Sequence, residues 1–390
     1  MVCYGGGHVK VIEPVYRALC EKYHVTVFAL TNARHYLAQK NIPFLSFLNF
    51  EYLMDARAEL LAEDALKSMF VKQEDKDESF AYMGLNLRQL EQDYGVVEAN
   101  AMFKNYGRSC FFPTIVINEL FDCVRPDLVV TTNSPRAERA ALFIAKERGI
   151  PSICIADNLW LRGGILEVAK GNLASKICVL NRAMKKQLFE ESGYNPSDIV
   201  VTGTPIFDQV KVLKEQWTAL ASTRTKKVIL LADCELPASS PNYPGVLADP
   251  NFGSEVRATL DEFAQRENVS VIFRPHPSQT SRYANYPNVE VSESREDLHK
   301  LLLGVDVVVT AISTVGLEAA CMGLSVISLE GTVYRAAGSY AKLGIATGVN
   351  NAAELTKELK GLLESVNQTY VDLYDGSAVS NISRLCGSLL

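Results

Sequence analysis

The sequence lacks the features that mark several large classes of protein. No apolar stretch approaches the roughly 20 residues that a transmembrane helix needs, and no basic segment followed by an apolar one opens the chain. No segment is of low complexity, and a net charge of -6 provides no positive surface for nucleic acid or an anionic membrane. We therefore expect a cytoplasmic protein that binds no nucleic acid and meets the inner face of the membrane only through an acceptor.

Metal-ligating and redox patterns are also missing. The five histidines form no HxxxH or HExxH pattern, and the nine cysteines are scattered singly, with no CxxC pair. An odd number of cysteines within apolar runs indicates buried thiols in a reducing compartment. We expect no bound metal and no cofactor.

What is present is an alternation of short β-branched runs with helix-length amphipathic segments, which predicts parallel α/β layers. The length of 390 residues exceeds that of a usual single core, so we expect two domains. The strand series breaks near residues 205–225. This predicts an acceptor-side Rossmann-like domain over 1–205, a nucleotide-donor-binding Rossmann-like domain over 206–365, and a helical segment over 366–390 that crosses back to the first domain.

Polar residues at the carboxyl ends of strands are the candidate ligand contacts, because doubly wound sheets bind ligands there. The first strand is followed by Gly5-Gly6-Gly7-His8. Gly6 and Gly7 permit a tight turn and let a ligand approach backbone N–H groups at the positive end of a helix. The GxGxxG spacing of a dinucleotide site is missing. Gly6, Gly7 and His8 therefore either border the active site or form a turn required for packing.

Two neighbouring strands of the first half also end in polar residues. Asn133 and Ser134 follow one strand, and Asp157 follows the next. The two strand ends face the same edge of the sheet, where an acceptor could meet a carboxylate base. Asp157 is thus a candidate catalytic residue, and the alternative is a helix N-cap or turn residue.

In the second half, Arg274-Pro275-His276-Pro277 directly follows an apolar strand. Pro275 and Pro277 hold His276 in a rigid turn at the strand end. There the imidazole can donate a hydrogen bond to a phosphate oxygen, and Arg274 adds charge. A turn histidine without a ligand is the alternative.

A later strand leads into Ser313-Thr314, where a helix is expected to begin. Free N–H groups and two hydroxyls at a helix start form an anion-binding arrangement. Glu318 lies one turn further, on the same face as Thr314, where its carboxylate can accept ribose hydroxyls. Capping and surface exposure explain each residue singly, but their joint occurrence after the His-Pro turn favours a nucleotide site.

Asp233 ends the first strand of the second half. A carboxylate at that position can stabilise an oxocarbenium-like state or act as a nucleophile. The alternative is that it caps the next turn.

The second half of the chain resembles the nucleotide-binding half of glycosyltransferase-B enzymes. The resemblance rests on the order of its elements: a strand, the turn Arg274–Pro277, another strand, and then Ser313-Thr314-x-x-x-Glu318. The resemblance implies an α/β fold of two Rossmann-like, doubly wound domains facing a central cleft, with metal-independent chemistry. The succession of a His-Pro and a Ser-Thr motif is similar to that of bacterial sialyltransferases and transferases of 3-deoxy-manno-octulosonic acid (Kdo). Those families use CMP-activated acid sugars, and their histidine and hydroxyls hold the CMP phosphate.

The chain also resembles non-hydrolysing UDP-N-acetylglucosamine 2-epimerases over nearly its whole length, and CDP-glycerol glycerophosphotransferases less closely. It departs from the epimerases at two positions: Gly5–His8 replaces a basic first loop, and residues 232–237 replace an arginine-rich turn. We therefore expect a glycosyltransferase that moves a sugar, preferably from CMP-Kdo or another CMP-acid sugar, to a surface polysaccharide or lipopolysaccharide acceptor. The alternatives are an epimerase-like isomerase and a CDP-polyol phosphotransferase.

Overall fold

The computed structural model describes residues 1–157, 164–208, 210–241, 243–276, 283–293, 296–336, 338–364 and 376–390. The chain divides into two compact units, one of Met1–Ile206 with Ser377–Leu390, the other of Phe207–Gly376. Each unit is built around one six-stranded sheet, and all strand pairs in both sheets are parallel. The predicted α/β class with two doubly wound sheets is confirmed.

The first unit contains strands β1 (Val2–Cys3), β2 (Phe28–Ala29), β3 (Val129–Thr131), β4 (Ser152–Ile155), β5 (Lys176–Val179) and β6 (Ile199–Val201). Its helices are α1 (Gly7–Leu19), α2 (Asn32–Gln39), α3 (Ala56–Lys67), α4 (Lys76–Tyr94), α5 (Val96–Tyr106), α6 (Thr114–Val124), α7 (Ala137–Glu147), α8 (Gly164–Lys170) and α9 (Arg182–Ser192). The strand order is β2-β1-β3-β4-β5-β6. The chain therefore reverses its direction across the sheet between β1 and β3, where doubly wound folds bind ligands.

The second unit contains strands β7 (Lys227–Asp233), β8 (Val269–Pro275), β9 (Glu290–Val291), β10 (Val307–Thr310), β11 (Ser325–Leu329) and β12 (Thr347–Val349). Its helices are α10 (Val210–Ala221), α11 (Phe252–Arg266), α12 (Leu298–Leu303), α13 (Thr314–Met322) and α14 (Ala352–Glu364). The order β12-β11-β10-β7-β8-β9 places the equivalent reversal between β7 and β10.

The last helix, α15 (Ala378–Leu389), packs against α1 of the first unit. The side-chain amide of Asn381 donates to the carbonyl of Thr202 at 3.3 Å, so the end of the chain is joined to the segment that follows β6. None of the described helices is long and apolar enough to cross a membrane.

Strands β4, β10 and β11 are buried along their whole length, as expected for central strands of a sheet that is covered on both faces, whereas burial alternates along β8 and β9 is exposed. Val307, Val308 and Val309 of β10 are fully buried for this reason. Helix α13 packs so closely on β10 that a Cβ on Gly316 would lie 2.6 Å from Cγ2 of Thr310. Only glycine permits that approach, which fixes where the N-terminus of α13 stands relative to the strand end.

Candidate active site

A short glycine loop connects β1 to α1 at the reversal point of the first sheet. Gly6 has φ 70° and ψ −129°, a conformation that residues with a Cβ rarely adopt. A Cβ on Gly5 would lie 3.0 Å from Oγ1 of Thr31, whereas a Cβ on Gly7 would meet open space. The loop turns the chain so that His8, the second residue of α1, stands at the carboxyl edge of the sheet.

His8 is the centre of a polar cluster at this edge. Its Nδ1 lies 2.7 Å from Oγ1 of Thr132, 3.4 Å from Oδ2 of Asp157 and 3.9 Å from Oε2 of Glu138. Thr132 directly follows β3, and Asp157 lies two residues after β4. Three strands thus bring an imidazole and two carboxyl groups together, an arrangement suited to proton transfer.

Asp157 has one oxygen near His8, and no described residue donates a hydrogen bond to the other. Its backbone N–H donates to Oδ1 of Asn133 at 3.0 Å, which holds the two strand ends together. Oδ1 of Asp157 is buried and, within the described part of the chain, accepts no hydrogen bond. A buried carboxylate oxygen in this state costs free energy, and a catalytic role is one of the reasons for which proteins retain such a group.

Glu138, on α7, is the carboxyl group that sequence analysis missed. Its side chain is fully buried, and its two oxygens accept the backbone N–H groups of Tyr4 at 2.7 Å and Ser134 at 2.5 Å. Burial raises the pKa of Glu138, while the nearby His8, the Thr132 hydroxyl and the two N–H groups act to lower it. Glu138 therefore connects the ends of β1 and β3.

The first-unit expectations converge on this cluster. His8, Asn133, Ser134 and Asp157 lie at one edge of one sheet, and Gly6 and Gly7 form the turn that places His8 there. A Cβ on Gly164 would lie 1.6 Å from the carbonyl oxygen of Asn133, so the start of α8 also contacts this edge. The segment 158–163 lies outside the described residues.

The Ser-Thr motif of the second unit begins α13, as predicted from sequence. Ser313 is the N-cap, and its Oγ accepts the N–H of Val315 at 3.3 Å. Tyr340 donates from its hydroxyl to the carbonyl of Ser313 at 2.9 Å, which fixes the turn. Thr314 is exposed at the first position of the helix. The helix start therefore keeps backbone N–H groups available for an anion.

Glu318 lies one turn into α13 and is paired with a residue that sequence analysis did not single out. Its Oε2 lies 2.8 Å from Nε2 of His299, on α12, and the carboxyl side chain is 11% exposed. Asp297 caps α12 and accepts the N–H of His299 at 2.9 Å. The pair holds the Glu318 carboxylate in one orientation, with its second oxygen left for another donor.

The His-Pro turn follows β8 at the same edge of the second sheet. His276 is exposed, and its backbone N–H donates to the carbonyl of Asp233 at 3.1 Å. Arg274 is turned toward its own unit, donating to Oγ of Ser292 at 3.2 Å and to the carbonyl of Glu296 at 2.8 Å. Pro277 lies outside the described residues.

Asp233, the second candidate catalytic carboxylate, is paired with two side chains of its own unit. Arg257 donates to both oxygens, at 2.7 and 2.9 Å, and the Tyr283 hydroxyl donates to Oδ2 at 2.9 Å. The Asp233 side chain is 4% exposed. A bidentate ion pair of this kind anchors α11 to the end of β7. Strand-end position alone could not reveal this partner, which lies 24 residues further along the chain.

Residues 167–386, more than half of the chain, match the family model described as UDP-N-acetylglucosamine 2-epimerase. The chain belongs to the UDP-N-acetylglucosamine 2-epimerase family. No curated protein matches it in sequence. The match spans β7, β8 and β10, and therefore both the His-Pro and the Ser-Thr motifs.

Solved structures of this family have the same fold. The UDP-GlcNAc 2-epimerase from Methanocaldococcus jannaschii superposes with a TM-score of 0.63 at 14% identity, covering 99% of this chain and 98% of that one. The enzyme from Neisseria meningitidis bound to UDP-GlcNAc gives 0.61 at 15% identity, with coverage of 99% and 98%. MurG from Acinetobacter baumannii gives 0.55 at 14% identity, with coverage of 100% and 98%. Family and fold together indicate an enzyme of the glycosyltransferase-B class.

Proposed function

We propose that this chain is a sugar-nucleotide 2-epimerase that acts on UDP-N-acetylglucosamine or a closely related UDP-linked amino sugar. The observation that carries the proposal is the pair of proton-handling groups at the edge of the first sheet. Nδ1 of His8 lies 3.4 Å from Oδ2 of Asp157, and the other Asp157 oxygen is buried without a hydrogen bond to any residue that the structure describes. Inversion at C2 of the sugar requires one proton to leave and one to return, so it needs such a pair.

The chemistry balances without any co-reactant. The C2 proton is not acidic while the C1–O bond to the diphosphate is intact. When that bond breaks, UDP takes the electron pair, and the cationic C1 acidifies the C2 proton. A base of the first unit removes this proton and a C1–C2 double bond forms. Return of a proton to the opposite face of C2, and of UDP to C1, yields the manno isomer. His8 and Asp157 are the groups that we assign to these proton transfers.

The second unit supplies the nucleotide contacts in this proposal. The N-terminus of α13 at Ser313 and Thr314, with the exposed His276, would stabilise the departing diphosphate. Glu318, oriented by His299, would accept ribose hydroxyls. The His-Pro and Ser-Thr motifs led us to expect a cytidine donor. The family is named for a uridine sugar nucleotide, which supports UDP instead.

The test is incubation of the purified chain with UDP-N-acetylglucosamine in D2O, without an acceptor. We expect proton NMR to show the manno isomer with deuterium at C2, because the abstracted proton exchanges with solvent. Calorimetric titration should show UDP binding and no comparable CMP binding. The epimerase proposal would be overturned if the chain binds UDP but forms no manno isomer, and if it releases UDP from UDP-N-acetylglucosamine only when a glycan acceptor is added.

Glycosyl transfer is the second candidate function, and the first loop favours it. Gly5–His8 carries no lysine or arginine, and the turn after β7, residues 233–237, carries none either. In epimerisation the UDP diphosphate must stay bound until it returns to the sugar, and cationic side chains would stabilise it. In glycosyl transfer UDP is released as a product, so fewer cationic contacts are required. The acceptor arm of the same NMR experiment distinguishes the two functions.

Replacement of Glu318 with glutamine should weaken UDP binding about 10-fold, because the amide loses the charge that strengthens its hydrogen bonds to ribose. Glu262, exposed on α11 and paired with Arg266 at 3.2 Å, provides the matched control. Glu262→Gln should leave the affinity unchanged in the same calorimetric titration. Equal affinities for Glu318→Gln and the unmodified chain would remove Glu318 from the nucleotide site.

A further inference from the structure

We infer that Thr132 and Glu138 form a relay that fixes the ring of His8 with its proton on Nδ1, leaving Nε2 as the atom that exchanges protons with substrate. Thr132 and Glu138 are positioning residues in this inference, since they act through His8. The assignment of the ring proton stands on geometry alone. Its catalytic consequence rests on the proposed function.

The oxygens around Nδ1 determine where the ring proton sits. Thr132, Asp157 and Glu138 place oxygens 2.7, 3.4 and 3.9 Å from Nδ1, and the two carboxylates can only accept when ionised. Nε2 makes no hydrogen bond to any residue that the structure describes. Neutral imidazole has one N–H, so these acceptors retain the proton on Nδ1 and leave the lone pair on Nε2.

Thr132 connects His8 to Glu138. Its Oγ1 lies 2.7 Å from Nδ1 of His8, and Oε2 of Glu138 lies 3.9 Å from the same nitrogen, so the hydroxyl and the carboxyl group both face that side of the ring. A hydroxyl that donates to Glu138 has its own lone pairs free, so Oγ1 can accept the Nδ1–H of His8 at 2.7 Å. The sequence of donors therefore runs from imidazole to hydroxyl to carboxylate.

Glu138 is held too firmly to take part in the reaction itself. It is fully buried, and both oxygens are bound to backbone N–H groups, those of Tyr4 and Ser134. These contacts fix its position, with Oε2 held 3.9 Å from Nδ1 of His8.

Other titratable and charged side chains of the described residues also lie near the ring. Asp157 faces Nδ1, and Tyr4 packs edge-on to the ring, with centroids 6.4 Å apart. Arg136 lies over the Tyr4 ring, 4.0 Å from its centroid. Burial raises the pKa of the Cys3 and Cys154 thiols near Glu138, so both are neutral. Among the described residues, Asp157 and Glu138 are therefore the carboxyl groups that face Nδ1 of His8.

Three threonine variants test the relay. Thr132→Val removes the hydroxyl at constant shape and should lower kcat by on the order of 100-fold with KM nearly unchanged, because the ring loses its fixed tautomer. Thr132→Ser keeps the hydroxyl and should restore kcat to within about 3-fold. Thr131→Val, at the neighbouring buried threonine whose hydroxyl donates to the Thr132 carbonyl, controls for packing and should have little effect. Equal losses in Thr132→Val and Thr131→Val would overturn the relay.

Nitrogen-15 NMR of the imidazole rings tests the tautomer without any turnover. The His8 signal of the full chain is identified by its absence in His8→Asn. When the ring is neutral, this signal should show a protonated Nδ1 and an unprotonated Nε2. Thr132→Val should shift it toward a mixture of tautomers. An Nε2-protonated ring in the unmodified chain would refute the inference even if epimerisation is observed. An Nδ1-protonated ring in a chain without epimerase activity would preserve the relay and reject the proposed function.

Discussion

Replacement of Asp233 with alanine is expected to lower the free energy of unfolding by about 3–5 kcal/mol, because it leaves the Arg257 guanidinium buried without its partner. The Asp233 and Arg257 side chains are 4% and 17% exposed, so solvent can replace little of the lost interaction. Tyr283 would also lose the acceptor for its hydroxyl. Urea denaturation followed by far-ultraviolet circular dichroism measures the change.

The double replacement Asp233→Leu with Arg257→Met distinguishes an ion pair from general damage to the site. It removes both charges while keeping similar volume, so it should recover most of the stability lost in Asp233→Ala. Glu262→Ala, at an exposed pair on the same helix, should cost well under 1 kcal/mol. If Asp233→Ala abolishes turnover but leaves stability unchanged, Asp233 is a catalytic group and its structural assignment is wrong.

Much of the first-unit cluster could be predicted because parallel strands end at a common edge. A short apolar run followed by a polar residue locates a strand end, and neighbouring strand ends lie only about 5 Å apart. This rule alone brings Asn133 and Asp157 together, and the Gly-Gly-Gly turn adds His8. The Ser313 cap was predictable for a similar local reason, since Ser-Thr before an apolar run marks a helix start.

The buried partners could not be predicted, because each depends on a contact that no local pattern encodes. Glu138 follows its strand by seven residues and lies within an ordinary amphipathic helix, yet it binds the N–H of Tyr4, 134 positions earlier. His299 pairs with Glu318 only because α12 and α13 flank the same strand, β10. Such residues look like surface charges in the sequence until the fold places them.

The base of the nucleotide was ambiguous for another physical reason. A helix N-terminus and a histidine recognise phosphate, and every sugar nucleotide carries phosphate. Uracil and cytosine differ in one exocyclic group, which a few individual contacts must distinguish. The His-Pro and Ser-Thr motifs therefore predict a nucleotide site without predicting its base, and the family match, rather than these motifs, supports UDP.

Replacement of His8 with asparagine should lower kcat for epimerisation by roughly 10²–10⁴-fold, the usual loss when a general acid–base group is removed. Asparagine can still hydrogen-bond to Thr132 but cannot carry a proton between donor and acceptor. UDP affinity should stay unchanged, because the proposed nucleotide contacts belong to the second unit. Coupled measurement of turnover by proton NMR and of UDP binding by calorimetry tests both statements.

Two further variants make this result specific. His24→Asn, at an exposed histidine after α1, should leave both turnover and binding unaffected. Glu318→Gln should show the reverse behaviour of His8→Asn, with weaker UDP binding and a smaller loss of kcat. If His8→Asn instead weakens UDP binding and leaves kcat intact, His8 contacts the nucleotide and proton transfer belongs to Asp157 alone. Opposite effects of the His8 and Glu318 variants would instead assign proton transfer to the first unit and nucleotide binding to the second.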